Sequence, residues 1–392
     1  MRVALLTNIL PAYRVPVFRA LAATPGWRLR VFLSSGSPCP EAAGFDVEVV
    51  KGWSFERRVA TRGRARTTQV VTAHLPWGLP GALLRFQPDV VISGELGWRT
   101  LLAYALCRLL GAQLVIWSYH SKTSATSAGP MLRTVRRWLL ARAAAVIGMG
   151  RQAREALEAL GVPPARIFDA PNAHDHDAFL AARARIEPEA VRRALAEGLG
   201  CRDRIALVAG RLVPVKGIAP LLAAWERLPE KIRGDWTLLF VGSGPLASMI
   251  EEASAGEPDG AIVLVPEVEP RELVDYYAAA RLLIFASLAD TWGLVVNEAF
   301  ACGLPVLCSR HAGCADDLLR PGENGWLFDP TEPAEFVSAL REALCAPDLE
   351  RLARGARDTA ERFRPEAMAA GFRRAVEHAL RSDQRPLRIA RS

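Results

Sequence analysis

Arg211 and Lys216 stand five positions apart in "GRLVPVKG", directly after the apolar run "IALVAG". Two cations just past a strand end are poorly explained by packing. They are well placed to hold a diphosphate, with Lys supplying a compact charge of no fixed geometry. Taken alone, the segment fits equally two surface cations flanking a turn. A second pair, Asp290 and Glu298, lies in "DTWGLVVNEAFACGLPV". Here the pattern predicts a helix from near Gly293, stopped by Gly303 and Pro305. Such a helix can bury Leu294, Val295, Val296 and Phe300 without either acid, so the acids need another reason. The amides of Gly293, Leu294 and Val295 would form a helix N-terminus, a ready site for an anion. Eight positions of helix span at most about 12 Å, roughly a ribose, a diphosphate and a hexose end to end. Ionised carboxylates accept hydroxyl hydrogen bonds, so one acid could grip each sugar. A third motif, "VGSGPL", offers Gly242 and Gly244 at a turn where backbone could approach a ligand closely. By itself it is weak, and it is not the full dinucleotide fingerprint.

The elements that would position these residues form two series. Strands are expected at "RVALLT", "LRVFLSS", "DVVIS", "QLVIWS" and "AAVIGM". The pattern restarts after about residue 180 with "IALVAG", "WTLLFVG", "AIVLVP", "RLLIFAS" and "PVLCS". Each run is continuously apolar, as parallel strands covered on both faces require, and each is followed by a helix-length stretch. The expected fold class is α/β with two facing Rossmann-like domains, parallel sheets and an interdomain cleft. We divide the chain into residues 1–178, residues 179–364, and a C-terminal helix with a frayed tail over 365–392, the helix possible as a return to the first domain. Ligands in open α/β sheets bind at the carboxyl ends of the strands, which is where the motifs lie.

In this order, "GRLVPVKG", "VGSGPL" and "DTWGLVVNEAFACGLPV" resemble the donor domain of retaining glycosyltransferases of family four, which have the GT-B fold. "AVIGMGRQAREALEALGVPPARIFDAPNAHD" is similar to the segment leading out of their first domain, so the resemblance covers most of the chain. It implies metal-independent transfer of a sugar from a nucleotide-diphosphate donor to an acceptor hydroxyl, with no cofactor. Arg211 and Lys216 match the pair that neutralises the diphosphate, and Glu298 the acid that holds the ribose. Asp290 matches the acid on the donor sugar, where the family commonly has Glu. The Gly293 and Leu294 amides match those facing phosphate, and His120 a first-domain histidine near the transferred sugar. Read from its neighbours alone, His120 fits a satisfied structural histidine. The base is expected near "VPEVEP", with Val268 offering backbone contacts. The loop after the first strand, "TNILPAYRVPVF", lacks the family's paired glycines. Tyr13 or Arg14 is expected to contact acceptor or diphosphate there, unless Pro11 and Pro16 merely shape the helix entry.

Composition bounds the alternatives. The 392 residues are 51% hydrophobic, ample for buried cores. No signal peptide is expected at the N-terminus, and "LLAYALCRLLGAQLVIW" is broken by Arg108, Gly111 and Gln113, short of a membrane span. The expectation is a cytoplasmic protein, soluble or peripheral. Charge is uneven: residues 1–180 hold 22 Lys and Arg against 11 Asp and Glu, and the remainder 27 against 31. The excess in "FERRVATRGRARTTQ" and "MLRTVRRWLLARAAA", with Trp138, Leu139 and Leu140 among the arginines, fits an anionic membrane surface. A solvated basic face fits too. Nucleic acid lacks an aromatic-plus-basic motif in its favour. A lipid-linked or glycan acceptor for surface polysaccharide follows as the expected partner. Seven cysteines, Cys302, Cys308 and Cys314 among them at six-residue spacing, read as free thiols. Asp175-His176-Asp177 spells an acid-x-acid string but falls at the domain join, and no metal is expected. Rivals are a sugar-nucleotide epimerase or a phosphorylase on the same scaffold, and a non-catalytic subunit, although Arg211, Lys216 and Glu298 all stand.

Overall fold

The computed structural model describes residues 1–34, 44–60, 68–119 and 130–381. The chain divides into two compact units, one of residues 1–175 with the segment from 364 onward, the other His176–Phe363. The sequence boundary at 178/179 falls inside a helix, His176–Arg183.

In the first unit, seven parallel strands run in the order β3-β2-β1-β6-β7-β8-β9. These are β1 (Arg2–Thr7), β2 (Arg28–Leu33), β3 (Asp46–Val49), β6 (Val90–Gly94), β7 (Gln113–Ser118), β8 (Ala145–Gly148) and β9 (Ile167–Asp169). Successive residues of β1 point to opposite faces, so Val3 and Leu5 enter one core while Ala4 and Leu6 enter another. Both faces are thereby covered, which is why the strands read as continuous apolar runs. The helix Pro365–Arg381 places Met368, Phe372, Val376 and Ala379 in the first of these cores. Phe372 packs edge-on against Trp117 at 5.0 Å between ring centres. At Gly371 the helix backbone comes so close that a Cβ would lie 2.3 Å from Asp169 O. The two ends of the basic stretch "FERRVATRGRARTTQ", residues 55–60 and 68–69, lie instead in an antiparallel pair, β4 (Trp53–Ala60) with β5 (Thr68–Leu75).

The second unit has six parallel strands in the order β12-β11-β10-β13-β14-β15. They are β10 (Arg204–Ala209), β11 (Trp236–Val241), β12 (Ile262–Val265), β13 (Leu282–Phe285), β14 (Val306–Ser309) and β15 (Gly325–Phe328). Strand order reverses between β10 and β13 here, and between β1 and β6 in the first sheet. At such a switch point adjacent loops part in opposite directions and leave a crevice at the carboxyl ends.

Leu139 and Leu140 correct the reading of residues 130–142 as an apolar membrane face. On that helix they are 0% and 1% exposed and pack into the first unit's core. A 3.6-residue period turns them inward while Met131, 83% exposed, and Leu132 stand outward with Arg133 and Arg137. Trp138 lies between the faces, against Tyr104 and beneath the Arg142 guanidinium. Among the described residues, no helix is long and apolar enough to cross a membrane.

Candidate functional site

The β10/β13 switch point gathers most of the motif residues of the second unit. After β10 the chain passes Gly210 and crosses the loop that follows β11. A Cβ at Gly242 would lie 2.0 Å from Gly210 O, and one at Gly244 would lie 2.5 Å from Leu212 O. Both glycines also have φ of +152°. These glycines therefore have a reason of their own: they let two strand-end loops touch backbone to backbone. The Leu212 amide donates to Ser243 O at 2.7 Å and the Leu246 amide to Leu212 O at 3.0 Å, lacing the loops together. Arg211, held at this seam, is exposed.

Next comes a 3₁₀ turn, Pro214–Lys216, closed by Gly217 at φ +70°. A Cβ at Gly217 would sit 2.0 Å from Ala286 O, so only glycine brings this turn against the loop after β13. The Leu288 amide then donates to Val215 O at 2.8 Å. That docking places Lys216 Nζ 2.5 Å from Asp290 Oδ2, and 5.1 Å above the Phe285 ring. Asp290's other oxygen accepts the Trp292 amide at 3.0 Å. The two side chains are 22% and 17% exposed, enough for a ligand to reach them. Sequence reasoning gave Lys216 and Asp290 separate tasks, whereas the structure makes them partners.

Gly293 caps the helix Leu294–Ala301 with a left-handed φ of +102° and no side-chain cap. A Cβ there would strike Phe285 Cε1 at 2.6 Å. The first helical bond of this turn runs from the Val296 amide to Gly293 O. A helix leaves its leading amides without intrahelical acceptors, and at this end those include the amides of Leu294 and Val295. Only the steps from Leu294 to Glu298 are helical, a rise of about 6 Å. The sequence estimate of a 12 Å helical span between the acids is shortened accordingly. Glu298 is partly buried and accepts the Tyr277 hydroxyl at 2.8 Å. Burial raises its carboxyl above the usual range, and the Tyr277 bond offsets part of that. Tyr277 itself is pushed well up by burial and by the adjacent carboxylate. Val268 is half-buried in the loop after β12, beside Glu267, whose carboxylate accepts the Ser243 hydroxyl.

His311 and Asp329, which follow β14 and β15, were not singled out in the sequence. His311 Nε2 lies 3.0 Å from Asp329 Oδ1, and His311 O accepts the Asp290 amide at 3.4 Å. Burial would raise Asp329, but hydrogen bonds from the Thr331 hydroxyl and amide and from His311 outweigh it and hold the carboxyl at about 2.

In the first unit, Arg14 is only 9% exposed, and this argues against direct contact with acceptor or diphosphate. Its guanidinium lies over Trp117 at 4.8 Å, Tyr119 at 5.1 Å and Tyr13 at 5.4 Å. The aromatic faces stabilise the cation where water does not reach. Tyr13 remains partly exposed. Pro11 and Pro16 stand at the entry to the 3₁₀ turn Ala12–Arg14 and the helix Val15–Ala22. His120 lies outside the described residues.

The β1/β6 switch point holds a polar cluster that sequence reasoning missed. Arg99, 1% exposed, bonds Asn8, Ser34 Oγ at 3.1 Å and Gly94 O, and pairs with Glu95 at 3.5 Å. Glu95 has φ +144°, outside the regions a side chain ordinarily permits. An arginine inside "VVISGELGWRTLLAY", just past a strand end, was the available signal. His176 is 1% exposed and its Nε2 lies 3.0 Å from Glu361 Oε1. Among the described residues, no three His, Cys, Asp or Glu side chains converge to hold a metal ion.

The family profile described as "Glycosyl transferases group 1" matches residues 196–359, and "Glycosyl transferase 4-like domain" matches residues 12–173. The chain belongs to the GT-B glycosyltransferases of this family-four, group 1 type. It is 34% identical over 227 residues to the D-inositol 3-phosphate glycosyltransferase of Acidothermus cellulolyticus, covering 54% of this chain and 48% of the relative. The sulfoquinovosyl transferase SQD2 of Arabidopsis thaliana is 27% identical, over 72% of this chain and 55% of its own. The chain thus spans about half the length of these curated relatives. Among solved structures, Anabaena Alr3699/HepE in complex with UDP superposes with a TM-score of 0.73 at 17% identity, covering 96% of this chain and all of that one. A glycosyltransferase from Rickettsia africae gives 0.74 at 13% identity, over 97% and 99%. At such identities the likeness concerns the fold.

Proposed function

We propose that the protein is a retaining glycosyltransferase that takes a nucleotide-diphosphate sugar as donor. The observation that carries this reading is the Lys216–Asp290 pair, set beside an uncapped helix N-terminus at a switch point. A diphosphate seated there meets Arg211, Lys216 and the amides of Gly293, Leu294 and Val295. With the phosphates fixed, Asp290 reaches the donor sugar and Glu298 the ribose hydroxyls, while the base lies toward Val268. In this assignment the second unit binds the donor. The first unit binds the acceptor, with Tyr13 and His120 on that side. The UDP in the HepE complex supports the choice of a nucleotide ligand.

In the transfer step the bond from the sugar's anomeric carbon to the phosphate oxygen breaks. The acceptor oxygen bonds to the same face, and its proton passes to a phosphate oxygen of the leaving diphosphate. No protein nucleophile takes part. Rate comes from holding both substrates and from stabilising the departing charge. The cations and the helix end supply that stabilisation, so no divalent metal is required. The acceptor is a glycan or lipid-linked molecule of a bacterial surface polysaccharide or glycolipid, met at the inner face of the membrane through the basic first unit.

The test is to follow nucleotide-diphosphate release from a panel of nucleotide sugars with a lipid extract as acceptor, with and without chelator. The anomeric configuration of the product is then read by NMR. Retained configuration and release unaffected by chelator are expected. An inverted product, or release abolished by chelator, would overturn the mechanism.

A further inference from the structure

The second unit contains a cavity of about 260 Å³ that none of the donor-site residues discussed above lines, Tyr277 excepted. Its wall includes Arg183, Arg192, Arg281 and Arg357, with Tyr277 and Cys302. Arg281 immediately precedes β13, and Gly303–Pro305, also in the wall, lead into β14. The cavity therefore opens at the amino ends of these strands. Lys216 and Asp290 lie at the carboxyl ends, on the opposite edge of the same sheet.

The four guanidinium groups are unequally occupied. Arg192 is committed, pairing with Glu189 and donating to Ala279 O at 3.0 Å. Arg183 gives one bond, to Ile186 O at 3.2 Å, while its Nε is buried without a partner among the described residues. Arg281 acts on Glu189 only through space, and among the described residues neither Arg281 nor Arg357 forms a direct ion pair with Glu189 or Glu350, the acids of the wall. The Arg357 guanidinium rests on the Gly303 backbone, where a Cβ would lie 2.1 Å from Nη1. Gly303 thus leaves the room in which that guanidinium sits. Four like charges around one small space repel one another, and two carboxylates compensate only half of them. Guanidinium forks of this kind match the tetrahedral oxygens of a phosphoryl group.

We propose that this cavity binds a small phosphate-class anion, at a site separate from the donor site. Its volume is slightly below the roughly 300 Å³ at which sites for larger organic ligands begin. That admits a free phosphate or the phosphoryl end of a hexose phosphate. Tyr277 forms part of the wall and donates to Glu298, so an occupant here touches the residue that positions the ribose acid.

The test is calorimetric titration of the full chain with inorganic phosphate and, separately, with glucose 6-phosphate, at ionic strength held constant with chloride. Three proteins are compared: wild type, the donor-site variant Arg211→Ala/Lys216→Ala, and the cavity variant Arg281→Ala/Arg357→Ala. Arg281 and Arg357 are exposed, and circular dichroism melting checks that the cavity variant folds. Saturable binding that survives in the donor-site variant and weakens by about tenfold or more in the cavity variant is expected. Equal affinity for the two ligands identifies free phosphate as the occupant, and tighter binding of the second a sugar phosphate. Absence of saturable binding to a folded wild type overturns the proposal. So does binding lost in the donor-site variant, or left unchanged in the cavity variant. A wild-type preference for one nucleotide is measured independently, so failure here leaves the donor reading standing.

Discussion

Lys216 Nζ meets Asp290 Oδ2 at 2.5 Å across 74 residues of chain, because the turn that ends in Gly217 docks on Ala286. Each side chain holds the other in place before a ligand arrives. In the proposed function an incoming diphosphate would find a cation already oriented, while Asp290 keeps its second oxygen tied to the Trp292 amide. Lys216→Ala should lower kcat by about 10²–10³, the usual loss on removing one group that stabilises transition-state charge. Its stability cost should stay near ~1 kcal/mol, since the pair is partly solvated. Parallel steady-state kinetics and thermal melts check both numbers.

Glu298→Gln should separate stability from binding. The raised carboxyl of Glu298 favours its protonated form in the folded state. Folding of the wild type is therefore undisturbed below the ordinary value of 4.5 and loses stability as pH rises through the higher folded value. Gln removes that loss. The variant should melt above wild type at neutral pH, the gap closing toward pH 4.5. Its nucleotide-induced shift should be reduced at every pH. Melting curves across pH, with and without nucleotide, decide it.

Asp329 acts with the opposite sign. Its carboxyl lies at about 2 in the folded protein against 3.8 ordinarily, so its stabilisation is present above 3.8 and lost as pH falls toward 2. Asp329→Asn should cost roughly 1–2 kcal/mol at neutral pH, a cost that shrinks as pH falls from 3.8 and disappears once it has passed below the folded value. Urea titrations at several pH values measure it.

The C-terminal helix is bound to the first unit through Phe372. Truncation to Ala should destabilise that unit by about 3–5 kcal/mol, a large aromatic lost from a closed core. Hydrogen exchange should show the loss confined to residues of the first sheet and leave β10–β15 protected.

Much of this fold was legible in the sequence because parallel strands buried on both faces become unbroken apolar runs. The parallel strands that were missed, β3, β9 and β15, are edge strands of four, three and four residues. An edge strand packs less, so "DVEV" carries acids and reads as loop. The β4–β5 pair was hidden by its arginines. At the site, Arg211, Lys216, Asp290 and Glu298 could be picked out singly by their places after strands. Their pairing could not, since it depends on β10 lying beside β13. Gly242 and Gly244 looked like ligand-facing glycines, yet the carbonyls of Gly210 and Leu212 explain them. Leu139 and Leu140 were misassigned because a run of letters does not show which side of a helix faces inward.

The exposed side of residues 130–142 gives a separate test of membrane contact. Arg133→Glu/Arg137→Glu should abolish any preference for anionic over neutral liposomes while leaving nucleotide binding intact. Co-sedimentation of both proteins with each vesicle reports it; equal sedimentation of the wild type with the two vesicle types would remove the membrane from the proposed function.

The central measurement is a titration of wild type, Lys216→Ala and Glu298→Ala with UDP, GDP and ADP, followed by thermal shift. A ligand that binds only the folded state raises its midpoint by mass action. A shift with one nucleotide in the wild type, much reduced in both variants, is the predicted result. No shift with any of the three, or a shift that both variants keep in full, would contradict a donor site built on Lys216 and Glu298.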